Sequence, residues 1–278
     1  MPKLLIMEGN PRDRRDRADA LGIRSSSGVY SAAILGAFPD MEIDVINAAD
    51  PGGSPPGGQG FQDYDGFVIG GSSLHAYDTD FAVTNQIEVL RAAAETGIPI
   101  LGSCWGLQIA AVAGGGEVGL SVIGREVGFA RKIYRTAAGS MHPFLAGRRQ
   151  VFDAPCIHYD EVIRLPDSAT LLAANHHSAV QAAIVPLGRS EVWAVQYHPE
   201  FDLVQLVQLY TLYAADMVQQ GFFATEESLV AYRKKLAALA VNPGDTGLAW
   251  ELGIDSDITD DRLRRSEIIA WIESCVLN

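Results

Sequence analysis

Ile98-Pro99-Ile100-Leu101-Gly102-Ser103-Cys104-Trp105-Gly106-Leu107-Gln108 passes from an apolar run through Gly-x-Cys-x-Gly into a helical pattern. The run reads as a buried strand and the glycines as a sharp strand-to-helix corner. Such a corner sets the cysteine beyond the carboxyl end of a strand with its side chain exposed. A helix N-terminus stabilises negative charge on the sulfur, so Cys104 is read as a nucleophile. Cys156 and Cys275 lack these flanks and take the default reading of small buried hydrophobes.

Outward from that corner, apolar strands alternate with helices. Residues 3–7, 41–46 and 66–71 read as strands, the last ending in Gly70-Gly71, and 27–38 and 81–95 as helices. The charged run 12–17 reads as a solvated loop. Continuous apolar strands alternating with helices predict an α/β fold: a mostly parallel open sheet covered on both faces. Ligands of such sheets sit beyond the carboxyl ends of the strands, where Gly70-Gly71 and Cys104 both fall. After about Gly124, short runs at 169–174, 179–185 and 192–196 predict a small antiparallel extension, followed by a helix at 203–219. We place a domain at 1–223 and a C-terminal helical extension at 224–278. The extension reads as amphipathic helices at 226–239 and 260–276, broken at Asn242-Pro243-Gly244.

Bulk properties narrow the function. With 278 residues the chain can bury a full core. A net charge of −13 argues against a nucleic-acid or anionic-membrane surface. Three scattered cysteines make no disulfide framework, and no apolar run has membrane-spanning length. A cytoplasmic protein is expected.

The base expected beside Cys104 lies in Val195-Gln196-Tyr197-His198-Pro199-Glu200. In an extended chain, residues two apart share a face, so Glu200 can fix the tautomer of His198 and leave its other nitrogen as the base. Acyl transfer also needs N–H donors for the oxyanion. Trp105, at the helix start, and Gly71, with no side chain in the way, are the candidates.

Together these residues resemble class I, triad-type glutamine amidotransferases, in particular the amidotransferase domain of GMP synthase. The matching pieces are Gly70-Gly71, Gly102 to Gln108 and Val195 to Glu200, and the resemblance covers about residues 3–219. It implies the flavodoxin-like sheet of that family, attack of Cys104 on the glutamine side-chain amide, His198 as base and Glu200 as its orienter. It also implies that Gln108 and Gly70 help hold the substrate. His158-Tyr159-Asp160-Glu161-Val162 looks like the family's His-Gly-Asp-x-Val stretch, whose backbone around Tyr159 and Asp160 would grip the amino-acid end of glutamine. Two departures stand out: Ser72 follows the paired glycines where proline is frequent, and Tyr159 replaces a glycine.

On this reading the chain releases ammonia from glutamine for a separate synthase partner. A stand-alone γ-glutamyl amide hydrolase, with water as acceptor, is the alternative; a catalytically silent relative is the third. No Walker-type phosphate loop occurs. Neither cofactor nor metal is expected. Gly114 to Gly119 formally spells Gly-x-Gly-x-x-Gly but follows a helix, the wrong context for a dinucleotide. Cys156, His158, His176 and His177 fit no zinc spacing. For the extension, a docking surface, a dimer contact and a lid stay open beside the plainer expectation that its apolar face packs on the domain.

Overall fold

The strand Lys3–Met7 (β1) alternates Leu4 and Ile6 toward one face with Leu5 and Met7 toward the other, and all four are fully buried. That double burial is what a parallel strand covered by helices requires. In the computed structural model, which describes residues 1–278, β1 is followed by α1 (Arg12–Asp19), α2 (Ser26–Ala37), β2 (Glu42–Ile46), β3 (Gly66–Ile69), α3 (Phe81–Ala94), β4 (Ile100–Ser103) and α4 (Trp105–Ala113). Next come β5 (Glu117–Leu120), β6 (Glu126–Arg135), α5 (Ala137–Met141), β7 (Val151–His158), β8 (Asp160–Arg164), β9 (Thr170–Ala174), β10 (Ala182–Leu187) and β11 (Ser190–Val195). The chain ends in α6 (Leu203–Leu212), α7 (Ala214–Gln219), α8 (Glu226–Val241), α9 (Thr246–Glu251), α10 (Ser256–Thr259), α11 (Asp261–Arg264) and α12 (Ser266–Trp271), with a π turn over Ile272–Val276.

Nine strands form one sheet in the order β2-β1-β3-β4-β11-β10-β9-β6-β7, and β5 pairs with β8 apart from it. From β2 to β11 every pairing is parallel; from β11 to β7 every pairing is antiparallel. Strand β11 is the seam between the halves. One face is covered by α3 and α4, through Val83, Leu90 and Ile109 against Phe67 and Ile100. The other is covered by α2 and α12, through Tyr30, Ile34 and Trp271 against Leu4, Val68 and Leu101. This is the mixed, helix-flanked sheet expected, with its antiparallel part continuing the main sheet for four strands.

Three local readings are corrected. Residues 12–17 are helical: α1 follows Pro11, has Asp13 in its first turn and Arg17 in its last, as the helix dipole favours, and buries no residue. With no apolar face, it leaves no periodic signal. The helix at 203–219 breaks at Tyr213, whose φ and ψ are −104° and 21°. The segment 260–276 divides into α11, α12 and the π turn: Asp260 caps the start of α11 by accepting from Arg262 and Leu263 N–H, and the break before α12 falls at Arg265, whose φ and ψ are −94° and 14°.

The C-terminal residues enter two cores. Ile268, Trp271 and Ile272 pack into the cluster that covers the sheet, and Leu229, Leu236, Leu239, Leu252 and Ile258 pack with Phe129, Phe201 and Leu206. A fully buried Arg148–Glu267 ion pair (2.7 Å) fastens α12 to the body, and Tyr197 Oη donates to the same Glu267 Oε1 at 2.5 Å. No helix is long and apolar enough to cross a membrane.

Candidate active site

Cys104 joins β4 to α4 with φ 51° and ψ −96°, left-handed backbone that a non-glycine residue adopts only under constraint. Close packing supplies the constraint: a Cβ on Gly102 would come within 2.8 Å of the Gly106 carbonyl carbon, and one on Gly106 within 2.7 Å of the Ile69 oxygen. The Cys104 N–H donates to Val195 O at 2.8 Å, tying the corner to the end of β11, where Val195 pairs with Ser103. Contrary to the exposed side chain expected, Cys104 is only 4% exposed; it lines a cavity of about 550 Å³ beyond the strand ends.

His198 follows β11 and lines the same cavity, with Nδ1 2.6 Å from Glu200 Oε1. A turn through Pro199 makes this pairing, closed by Phe201 N–H to His198 O at 3.1 Å, so the extended geometry expected for the pair is replaced. The ring stacks on Phe201, with centroids 3.8 Å apart and planes 3° apart, and the His198 N–H donates to Pro155 O. Ser103 Oγ donates to Glu200 Oε1 at 3.0 Å, a support the sequence reading missed although Ser103 lies inside its key motif. Burial opposes charge on His198, but the Glu200 carboxylate and Cys104 outweigh it and raise its pKa to about 10. Its Nε2 is buried without an aligned partner. The arrangement can hold an imidazolium beside a sulfur nucleophile.

Gly71 lies against the imidazole: a Cβ there would meet His198 Cε1 at 2.7 Å, and its N–H donates no hydrogen bond. Gly70 packs on Ser26 and Tyr30 behind the cavity wall. Trp105 is fully buried, with its indole N–H on Gln86 Oε1 at 2.9 Å; as the first residue of α4 its backbone N–H has no intrahelical acceptor. Gln108 Nε2 donates to Asp160 O at 3.0 Å, and the Asp160 carboxylate lies 2.7 Å from His75 Nδ1. Gln108, Tyr159 and Asp160 all line the cavity. So do Glu8, Arg125 and the α1 residues Arg14 and Arg17, which no sequence signal marked.

The discounted histidine cluster separates. Cys156 is buried in β7 and His176 is exposed, whereas Glu126, His158 and His177 present ligand-type atoms within 4.8 Å of one another. The Glu126 carboxylate already accepts from His158 Nε2 (2.9 Å), Asn175 Nδ2 (2.8 Å) and Gln181 Nε2 (2.9 Å), which accounts for its burial as a hydrogen-bonded hub.

Comparison with known proteins agrees with this architecture. The family model "Glutamine amidotransferase class-I" matches residues 47–208, more than half of the chain. A γ-glutamyl-L-1-hydroxyisopropylamide hydrolase from a Pseudomonas species is 31% identical over 99% of this chain and 93% of its own length. A glutamine-hydrolysing GMP synthase component from Methanoregula boonei is 28% identical, over 62% of this chain and 84% of its own. A glutamine amidotransferase structure from Thermotoga maritima superposes with a TM-score of 0.70, covering 98% of this chain and 99% of that one at 16% identity, a likeness of fold. The protein belongs to the class I glutamine amidotransferase family.

Proposed function

We propose that the protein hydrolyses γ-glutamyl amides through a thioester on Cys104, with water as the final acceptor. The Cys104 thiolate attacks the γ-carbonyl carbon, and the oxyanion rests between the N–H groups of Gly71 and Trp105. The His198 imidazolium passes its proton to the departing amine as the C–N bond breaks. His198, now neutral, takes a proton from water; the hydroxide oxygen adds to the thioester, and glutamate leaves as sulfur recovers its charge. Glu200 keeps Nδ1–H fixed throughout. Asp160 and Tyr159 would take up the amino-acid end of the substrate, with Gln108 bracing Asp160; Gly70, which the sequence reading also placed there, lies behind the cavity wall and is left out of this role.

The observation that carries this reading is the joining of Cys104 and the His198–Glu200 pair on neighbouring strands, around one cavity. Water is favoured as acceptor because the hydrolase relative matches 99% of the chain, extension included. In this reading residues 1–223 carry the chemistry and 224–278 are a packed extension. The GMP synthase relative supports a second reading, in which glutamine is the substrate and a separate synthase takes the ammonia.

The test is turnover of glutamine and a series of γ-glutamyl alkylamides by the purified chain. Efficient hydrolysis of alkylamides without any partner is expected, together with labelling of Cys104 by a glutamine-mimicking chloroketone. Slow turnover of glutamine alone would move the assignment to the partner-dependent reading. Absence of both turnover and labelling would leave a catalytically silent protein.

A further inference from the structure

Three arginines are buried. Arg148 is paired with Glu267 and Arg264 with Asp261, but Arg125, 8% exposed, pairs with no carboxylate. It sits just before β6 and lines the cavity that holds Cys104. Its guanidinium is clamped between two tyrosines, with Cζ 4.3 Å from the Tyr159 ring centre and 4.6 Å from that of Tyr213. Nη1 donates to Tyr159 Oη at 3.0 Å, and Gln220 Nε2 holds the same oxygen at 2.6 Å. Nε is buried with no partner, and Nη2 makes no hydrogen bond. A guanidinium fixed by stacking, with donors unspent, is prepared for a planar anion.

The surroundings favour the same sign. Arg14 and Arg17 of α1 stand on the cavity wall in a chain whose net charge is −13. Burial pushes the Tyr213 hydroxyl pKa up while Arg125, Arg14 and Arg17 pull it down, so all three cations act on one ring. The two carboxylates of the cavity wall are already engaged, Glu8 by the N–H groups of Ser27 and Asn10, and Asp160 by His75.

We propose that Arg125 binds a carboxylate of the substrate and sets specificity. The step rests on the amide-hydrolase reading above and adds a substrate class to it. Two carboxylates have this chemistry: the α-carboxylate of the glutamyl group, and one carried by the amine that leaves.

The test uses γ-glutamylglycine, with both carboxylates, γ-glutamylethylamide, with the α-carboxylate only, and the α-methyl ester of the latter, with neither. For the wild type, kcat/KM is expected to step down by about 10- to 150-fold where the recognised carboxylate is lost. A step between the first two assigns the amine-side group; a step between the last two assigns the α-carboxylate. Arg125→Met should flatten the step, chiefly through KM, and Arg125→Lys should keep part of it. Equal losses on all three compounds with their ratios intact would overturn the proposal. Should Arg125→Met not fold, Arg125→Lys carries the same comparison. Calorimetry in a Cys104→Ala background separates this from the reading it rests on. If no amide is turned over, a carboxylate preference in Kd that Arg125→Met removes still upholds the assignment. No preference in Kd overturns it.

Discussion

Cys104 pays for its position in backbone strain, since φ near 51° costs a non-glycine residue about 1–3 kcal/mol. Glycine normally lowers stability against alanine by about 0.5–1 kcal/mol. At this corner Cys104→Gly should therefore be no less stable than Cys104→Ala, as urea denaturation of the two variants will show. Both should lose about 10⁴-fold or more in amide turnover. Glu200→Gln should lose about 10²- to 10⁴-fold, less than loss of the nucleophile, because the base remains but its orientation weakens. His198 gives a signed pH dependence. Its pKa is raised on folding from about 6.5 to about 10, so the stability it contributes is complete below about 6.5 and is lost as pH rises through about 10. The Tm advantage of wild type over His198→Asn should shrink across that window; an advantage growing with pH would contradict the assignment. At this scale the sequence singled out Cys104, His198 and Glu200, which the fold does bring together, because glycines and a proline mark their turns. Ser103, Phe201 and Arg125 went unread, because their roles depend on what tertiary packing sets beside them.

Helices α2, α3 and α8, each with a capped start, were legible to within a residue or two. Helix α3 is the clear case: Asp80 accepts from Val83 N–H at 3.1 Å ahead of a regular buried face. Asp80→Ala should cost about 1 kcal/mol of global stability, measurable by urea unfolding. Strand β6 was illegible for a physical reason. A bulge between Ala130 and Ile133, with Lys132 at φ 53°, shifts the alternation midway, and charged residues face solvent or the polar hub. Helix α1 hid differently, since nothing on it is buried and it is held by polar contacts such as Arg12 N–H to Asp50 Oδ1 (2.9 Å) and Arg15–Asp50 (2.8 Å). Its amides should exchange with solvent well before those of α3, while those of α4 persist.

For the molecule as a whole, the C-terminal extension is woven into the cores that hold the sheet. Its helices were expected from amphipathic spacing, but the Arg148–Glu267 pair joins residues 119 positions apart and leaves no local signature. Arg148→Met should cost about 3–5 kcal/mol, because Glu267 would remain buried and unpaired, whereas Arg148→Met with Glu267→Leu should recover much of that loss. A double-mutant cycle in urea measures the difference, and the same variants should lower kcat, since Glu267 also holds Tyr197, the neighbour of His198. The bond from the Cys104 amide to Val195 O lies between β4 and β11, deep within the nine strands. Its hydrogen should be released only when the entire sheet opens. Heat or denaturant should consequently extinguish turnover and secondary structure along one curve, with no inactive yet folded species preceding collapse.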